Sequence, residues 1–399
     1  MALVPTLRFA EARRAVLDRV MEYRPVPEVE SVGLEAAAGR VLAHPLAADR
    51  DYPPVARSLR DGFAVRAADL PGDLEVLGEV QAGGAFAGEV AAGQAVEIMT
   101  GAPLPPGADA VVMVEHTVRD GLRVRIERGA HAGEYVNQRA SEARRGDVLI
   151  PAGERLDYAA IALAATIGQA RLTVYAQPTV AIVATGDEIV EVEASPLDYQ
   201  VRNSNAWSLA AQVRRAGGRP LVLPVARDTL DSTRACIEEG LKADLLVLSG
   251  GVSAGKYDLV EPVLAELGAE FFFDRVLIQP GQPLVFGRAR GKFFFGLPGN
   301  PASTMVTFEL FARAALELLG GQRETRLPLL WARLRADFHH RPGLTRFLPA
   351  RLDEEGGVTS IPWRGSSDVP ALARANAYLV AEEDRASWAV GEFIRVLLK

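Results

Sequence analysis

The spacing of hydrophobic positions changes character several times along the chain. In the first stretch Phe9, Ala12, Val16 and Val20 recur at helical period, predicting a helix from Thr6 to about Met21. From Asp51 to about Asn137 the pattern becomes short β-branched runs (EVLGEV, GQAVEIMT, ADAVVMVEHTV, GLRVRIER) separated by Gly and Pro, the signature of an all-β module. GDVLIPAGERL then leads into an Ala-rich helix, Asp157 to Ile167, stopped by Gly168. Between Thr179 and about Gly320, continuous apolar runs (TVAIVAT, RPLVLPVA, ADLLVLS, EFFFDRVLI, KFFFGLP) alternate with helical segments. Strands that are apolar on both faces belong to a sheet covered by helices on both sides, so this region predicts an α/β domain with a mostly parallel sheet. After Arg323, LLWARLRADF, TRFLPARL, ANAYLVAE and FIRVLLK predict a small β domain, and the expected form of this C-terminal domain is barrel-like.

The expected architecture is therefore multidomain α/β plus β. Residues 1–50 and 138–175 form a helical or mixed region, 51–137 the β-rich module, 176–323 the α/β domain and 324–399 the C-terminal β domain. The length of 399 residues agrees, because single cores stop growing near ~250–300 residues. At 49% hydrophobic and 24% charged, the composition is that of a globular protein and rules out collagen, coiled coil and wholesale disorder.

The net charge of −7, with no basic tract, argues against duplex nucleic acid as the main partner. The single cysteine, Cys236, cannot form an internal disulfide and reads as a small core residue on a helix; one thiol fits a reducing compartment. The N-terminal segment has early charges and no apolar core of a signal peptide, and no uncharged run reaches the ~18 residues of a membrane span. The expectation is a cytoplasmic protein.

In an open α/β sheet, ligands bind beyond the carboxyl ends of the strands. Three strand ends carry unusual sequences. TVAIVAT runs into Gly186-Asp187-Glu188, which reads either as a polar turn or as carboxylates for a hard divalent cation beside substrate phosphates. ADLLVLS, ending in Ser249, runs into Gly250-Gly251-Val252-Ser253-Ala254-Gly255-Lys256-Tyr257-Asp258. This nearly spells a phosphate-binding P-loop, but Tyr257 stands where such a loop needs Ser or Thr, which disfavours an ordinary ATPase. Its glycines still allow close backbone approach to phosphate or a polar ring, and Asp258 is either an N-cap or a metal- or proton-handling carboxylate. KFFFGLP runs into Gly299-Asn300-Pro301, a rigid turn opening a helix with Ser303 in its first turn, readable as structure or as an anion cradle.

In the β module, Asp61 precedes a Gly turn and Thr100 opens the rigid TGAPLP segment; alone, each reads as a turn. The histidines His44, His116, His131, His339 and His340 lack zinc-site spacing, and neither G-x-S-x-G nor a dinucleotide fingerprint is present.

Taken in order, SLRDGFAVR, EIMTGAPLPPGADAVVMVE, VAIVATGDEIV, RNSNAW, LLVLSGGVSAGKYD, PGQPLVFG, FFFGLPGNPASTMVTF and ARANAYL resemble the molybdopterin molybdenumtransferases, the MoeA family, with which the E domain of gephyrin is grouped. The resemblance implies a homodimer whose third domain is of the molybdopterin-binding type. It implies a reaction in which molybdate enters the dithiolene of adenylylated molybdopterin with release of AMP, assisted by Mg²⁺. It also implies roles. Asp187, Glu188 and Asp258 would bind metal or position the phosphate linkage, and Asn205, Ser249, Gly250, Gly251, Ser253 and Gly255 would cradle pterin and phosphate. Pro298, Gly299, Asn300, Pro301 and Ser303 would form the anion-binding turn. Asp61 and Thr100 of a partner subunit would complete the site, and Asp228 matches a functional acid. The implied partners are adenylylated molybdopterin, molybdate or tungstate, the upstream adenylyltransferase and molybdoenzymes.

The chain departs from the family where Gln279-Pro280-Gly281-Gln282-Pro283 replaces K-P-G-K-P, and where Arg139-Ala140-Ser141-Glu142-Ala143 replaces R-x-G-E-D. Two other readings remain open at this stage: an ATP-using molybdopterin adenylyltransferase, and a dimeric pterin-binding scaffold without turnover.

Overall fold

The computed structural model describes residues 6–251 and 259–399, which divide into two compact units. One comprises Met1–Ala43, Gly153–Leu156 and Thr173–Lys399, the other His44–Ala152 and Asp157–Leu172.

The first unit is built on a seven-stranded sheet in the order Thr6–Leu7, Glu270–Val276, Pro283–Ala289, Lys292–Leu297, Leu245–Ser249, Thr179–Ala184, Arg219–Val222. The last four named run parallel to one another, in register Leu245↔Phe293, Val180↔Leu245 and Thr179↔Arg219. Pro283–Ala289 is antiparallel to both its neighbours. The sheet is apolar on both faces because each face is covered. On one side Val180, Ile182, Val247 and Phe295 pack with Leu209 and Val213 of the helix Ser204–Arg215, and with Val306 and Phe311. On the other, Ala181, Val183, Leu246 and Leu248 pack with Ile237 of the helix Leu230–Gly240 and Val263 of the helix Val260–Glu266. Cys236 is partly buried against this second cluster, and burial raises its thiol pKa.

The N-terminal helix runs Phe9–Tyr23 and buries Ala12, Val16 and Val20, the face its periodicity predicts. The segment after Pro301 differs from the single α-helix expected: Pro301–Thr307 continues through a π-helical stretch, Phe308–Ala312, into Arg313–Leu319. The C-terminal strands Leu329–Leu334, Thr345–Leu352, Gly357–Ser360, Ala377–Ala381 and Phe393–Leu398 close into a five-stranded barrel, since Thr345–Leu352 pairs with both Gly357–Ser360 and Ala377–Ala381. Gly357–Ser360 and the helix Val369–Arg374 fall outside the hydrophobic pattern because each is too short to show a period.

The second unit holds a six-stranded sheet in the order Ala110–Met113, Gly62–Val65, Gln94–Ile98, Gly72–Val80, Arg123–Ile126, Thr117–Asp120. Alternate residues bury opposite faces: Phe63, Val65 and Val112 on one, Ala64, Val96 and Val111 on the other. Its helix, Tyr158–Thr166, is capped by the Asp157 side chain accepting from the Ala160 N–H at 2.8 Å. Among the described residues, no helix is long and apolar enough to cross a membrane.

Candidate active site

The site residues of the first unit sit where the topology predicts, just past the carboxyl ends of four adjacent parallel strands. Asp187 and Glu188 follow Thr179–Ala184, Asp228 follows Arg219–Val222, Gly250 and Gly251 follow Leu245–Ser249, and Pro298, Gly299 and Asn300 follow Lys292–Leu297. The turns are tied to one another through the backbone. Thr185 N–H donates to the Ser249 carbonyl at 3.1 Å, Gly186 N–H to that of Ala226 at 3.1 Å, and Gly250 N–H to that of Leu297 at 3.0 Å.

One side chain holds three of these elements together. Asn205, in the first turn of Ser204–Arg215, donates through Nδ2 to Ser249 Oγ at 2.8 Å and to the Gly299 carbonyl at 2.7 Å. Its Oδ1 is buried and has no hydrogen-bond partner among the described residues. Both bonds come from the amide nitrogen, which leaves the acceptor oxygen without a use among them.

Gly250 and Gly251 have φ of 95° and 66°, and a Cβ on either would lie 2.9 Å from Thr185 Oγ1. Only glycine allows both this left-handed path and the close approach. Asp187 and Asp228 form a reciprocal pair: each accepts the other's backbone N–H, at 3.3 and 3.2 Å. Arg227 Nη1 donates to the Asp187 carbonyl at 3.3 Å.

Two clefts open over these turns and meet at Gly251, Gly299 and Asn300. The larger, about 700 Å³, is bordered by Thr185, Glu188, Asn205, Asp228, Ser249 and Pro301. The smaller, about 540 Å³, is bordered by Gln279, Gln282, Pro298, Ser303, Trp363 and Ser366. Ser303 is buried, and Thr304 braces the turn by donating to the Pro298 carbonyl at 2.6 Å. Gln279 and Gln282 face this cleft from either side of a turn at Gly281, whose φ is 102° and whose absent Cβ leaves room for Thr307 Cγ2. Ser253, Gly255 and Asp258 lie outside the described residues. Among those described, no three acidic, His or Cys side chains cluster to hold a metal ion.

Trp363, Ser366, Ser367 and Arg346 are absent from the sequence reading. The first three lie in a loop with no helix or strand period, and nothing local marks it as part of a cleft. Arg346 is found only through pairing: it is the register partner of Gln279, and its Nε is buried without a hydrogen-bond partner among the described residues.

In the second unit, Asp61 and Thr100 are brought together. Asp61 Oδ1 accepts from Thr100 N–H at 2.6 Å and from Thr100 Oγ1 at 2.8 Å. The backbone bond first, then the hydroxyl, hold the Asp61 carboxyl below its ordinary pKa, so it is a carboxylate at neutral pH. Gly62 follows because its strand runs against the Val112 carbonyl, where a Cβ would overlap. In the 139–143 segment, Glu142 accepts from Asn137 Nδ2 at 3.0 Å, and Arg139 pairs with Asp51 at 2.7 Å.

Comparison with known proteins agrees with this architecture. Residues 7–168 match the model described as MoeA N-terminal region (domain I and II), 181–318 that of a probable molybdopterin binding domain, and 331–399 MoeA C-terminal region (domain IV). The chain is 35% identical to the molybdopterin molybdenumtransferase of Bacillus subtilis over 396 residues, covering 95% of this chain and 92% of the relative. It is 31% identical to the enzyme of the same name from Staphylococcus aureus, covering 96% and 94%. Among solved structures, a molybdopterin biosynthesis MoeA protein from Pyrococcus horikoshii aligns with a TM-score of 0.75 at 32% identity, covering 99% of each chain. With all three regions matched in order and the likeness extending over nearly its whole length, the chain belongs to the MoeA family of molybdopterin molybdenumtransferases.

Proposed function

We propose that this protein completes the molybdenum cofactor by inserting molybdate, or tungstate in its place, into the dithiolene of adenylylated molybdopterin, with release of AMP. The observation that carries this reading is the junction of the two clefts at Gly251, Gly299 and Asn300. On this reading the elongated substrate with its phosphate linkage takes the larger cleft, whose border carries Gly250, Gly251 and Asn205, and the tetrahedral oxyanion takes the smaller one beside it.

The residues divide the work accordingly. Asn205 fixes the Ser249 and Gly299 loops and presents its free Oδ1 to the pterin, whose ring N–H groups need acceptors. Gly250 and Gly251 let the backbone approach the phosphate closely. Asn300, Ser303 and Ser366 offer neutral polar groups to the oxyanion.

Mg²⁺ belongs to the proposal. Glu188 and Asp228 border the larger cleft, Asp187 is tied to Asp228 by the reciprocal backbone bonds, and the hard carboxylate oxygens of Asp187 and Glu188 are the donor type such a cation takes. Those two residues would hold it, and Asp258 is proposed as a third ligand on the resemblance. When bound, the cation would neutralise phosphate charge and favour departure of AMP. The same proposal includes a homodimer, in which the Asp61–Thr100 pair of one copy completes the cleft of the other, and a cytoplasmic location beside the upstream adenylyltransferase and recipient molybdoenzymes.

The test is AMP release from adenylylated molybdopterin with Mg²⁺, with and without molybdate, beside an Asp187→Asn variant. Molybdate-dependent release that the variant abolishes supports the proposal. ATP-dependent adenylylation with no oxyanion requirement would replace it with an adenylyltransferase, and tight pterin binding without release would make the chain a scaffold.

A further inference from the structure

The smaller cleft is unusual for a place meant to hold a dianion. Its described border comprises Gln279, Gln282, Asn300, Ser303, Trp363 and Ser366 among glycines, prolines and aliphatic residues, with no ionisable side chain. Positive charge stands on the neighbouring strands: Arg346 opposite Gln279 and Arg275 opposite Pro283. Neither arginine borders the cleft.

We propose that Gln279 and Gln282 make this cleft a site that reads its oxyanion by neutral hydrogen bonds rather than by charge pairing, and that these two residues set its affinity and salt response. The proposal rests on the oxyanion reading given above. A carboxamide presents two N–H donors to oxyanion oxygens, and its own oxygen can accept from a neighbouring hydroxyl such as that of Ser303 or Ser366. It carries no field beyond contact distance. An ammonium at the same place would act as a strongly hydrated point charge, felt throughout the cleft and screened by salt. The consequence is a molecule that selects a tetrahedral oxyanion by placement of donors, binds it only when it is abundant, and loses little of that affinity as ionic strength rises. The turn that carries the pair supports this assignment. Gly281 lies against Thr307 of the helix that begins beside Asn300, so both carboxamides are held on a wall fixed by the same helix that positions Ser303.

The experiment is calorimetric titration of the full chain with sodium molybdate, without pterin, at low and high ionic strength, for the wild type and for Gln279→Lys with Gln282→Lys. Intrinsic fluorescence gives a second readout, because Trp363 borders the cleft and Trp363→Phe identifies its share of the signal. The wild type is expected to bind with a dissociation constant that changes less than about threefold across the salt range. The double lysine variant is expected to bind roughly tenfold or more tightly at low salt and to lose that advantage at high salt. Wild-type affinity falling as steeply with salt as that of the lysine variant would overturn the proposal. So would a lysine variant that is folded, by its circular dichroism and melting, yet binds no more tightly at low salt. If the double variant fails to fold, the wild-type salt series and the single Gln282→Lys variant decide the same question. Absence of saturable molybdate binding in wild type and variant alike, with both folded, is a different failure: it removes the oxyanion reading of the cleft itself.

Discussion

Asp187 and Asp228 each donate a backbone N–H to the other's carboxylate, at 3.3 and 3.2 Å, across the ends of two neighbouring parallel strands. The pair is a clamp between loops before it is anything else. Asparagine at either position keeps an acceptor oxygen for the partner's N–H and removes only the charge. Asp187→Asn is therefore expected to retain the wild-type melting temperature within a few degrees and to lower AMP release by on the order of 100-fold. Asp228→Ala leaves the Asp187 N–H without its acceptor and is expected to lower both. Melting curves and turnover measured on the same preparations check the split; an Asn variant that keeps full turnover would leave the clamp as the pair's whole role.

The proposed sharing of the site between copies makes a numerical prediction. Chains carrying Asp61→Asn and chains carrying Asp187→Asn are each expected to be inactive as homodimers. If they are unfolded together and refolded as an equal mixture, half the dimers are mixed. Each mixed dimer contains one doubly damaged site and one intact site, so about one quarter of wild-type activity returns. If every chain builds its site alone, the mixture stays inactive.

Asp61 also has a pH signature. Hydrogen bonds from the Thr100 backbone, and secondly its hydroxyl, lower the carboxyl pKa from 3.8. A group whose pKa is depressed by folding favours the folded state above the unfolded value and loses that contribution as pH falls through the folded value. Thr100→Ala removes the hydroxyl bond and leaves the backbone bond. The Asp61 carboxyl resonance, followed by NMR, is expected to titrate below 3.8 in the wild type and to move part of the way back up in Thr100→Ala, with no change in its ionisation at neutral pH.

The Gly250-Gly251 turn tests the backbone's part. Alanine at Gly250 must adopt a φ of 95° and place its Cβ 2.9 Å from Thr185 Oγ1. Left-handed strain alone costs about 1–3 kcal/mol. Gly250→Ala is expected to lower the denaturation midpoint accordingly and to weaken pterin binding. At Gly251, whose φ of 66° lies in the ordinary left-handed region, asparagine is expected to be better tolerated than alanine. Equal midpoints for Gly251→Asn and Gly251→Ala would show that crowding against Thr185, not φ, limits the turn.

Much of this fold is legible in the sequence because its central strands are buried on both faces: TVAIVA, LLVLS and KFFFGL cannot be read as anything solvent-facing. The strand ends are legible for the same reason, since polar residues and glycine break in abruptly where the sheet stops. What the sequence does not show is set by contacts distant along the chain. Arg346 comes opposite Gln279, 67 positions away, only through strand pairing, and Trp363 and Ser366 reach the cleft through a loop that carries no period of its own. The π-helical stretch at Phe308–Ala312 likewise has no local signal, because the same apolar residues would fit an α-helix.

That stretch contains the buried Glu309, which leads to a final prediction. Its carboxylate pairs with Arg215 Nη2 at 2.6 Å and with Arg313 Nε at 3.0 Å, while Arg313 also reaches Glu317 at 3.3 Å. Arg215 ends the helix that begins with Ser204 and Asn205, and Glu309 lies one and a half turns or so beyond Ser303, so the pair joins the two helices whose first turns supply site residues. Glu309 is buried, but Arg215 is half exposed and Arg313 keeps Glu317, so removing the carboxylate leaves no arginine buried and unpaired and costs about 1–3 kcal/mol, whereas a neutral residue of the same shape keeps part of the hydrogen bonding. Glu309→Ala is expected to be destabilising within the usual range for a core substitution, with Glu309→Gln milder. If the pair positions Asn205 relative to Ser303, Glu309→Gln will also raise the substrate concentration needed for half-maximal AMP release at a temperature where the variant is fully folded. A variant that is less stable but kinetically unchanged would confine Glu309 to holding the helices together.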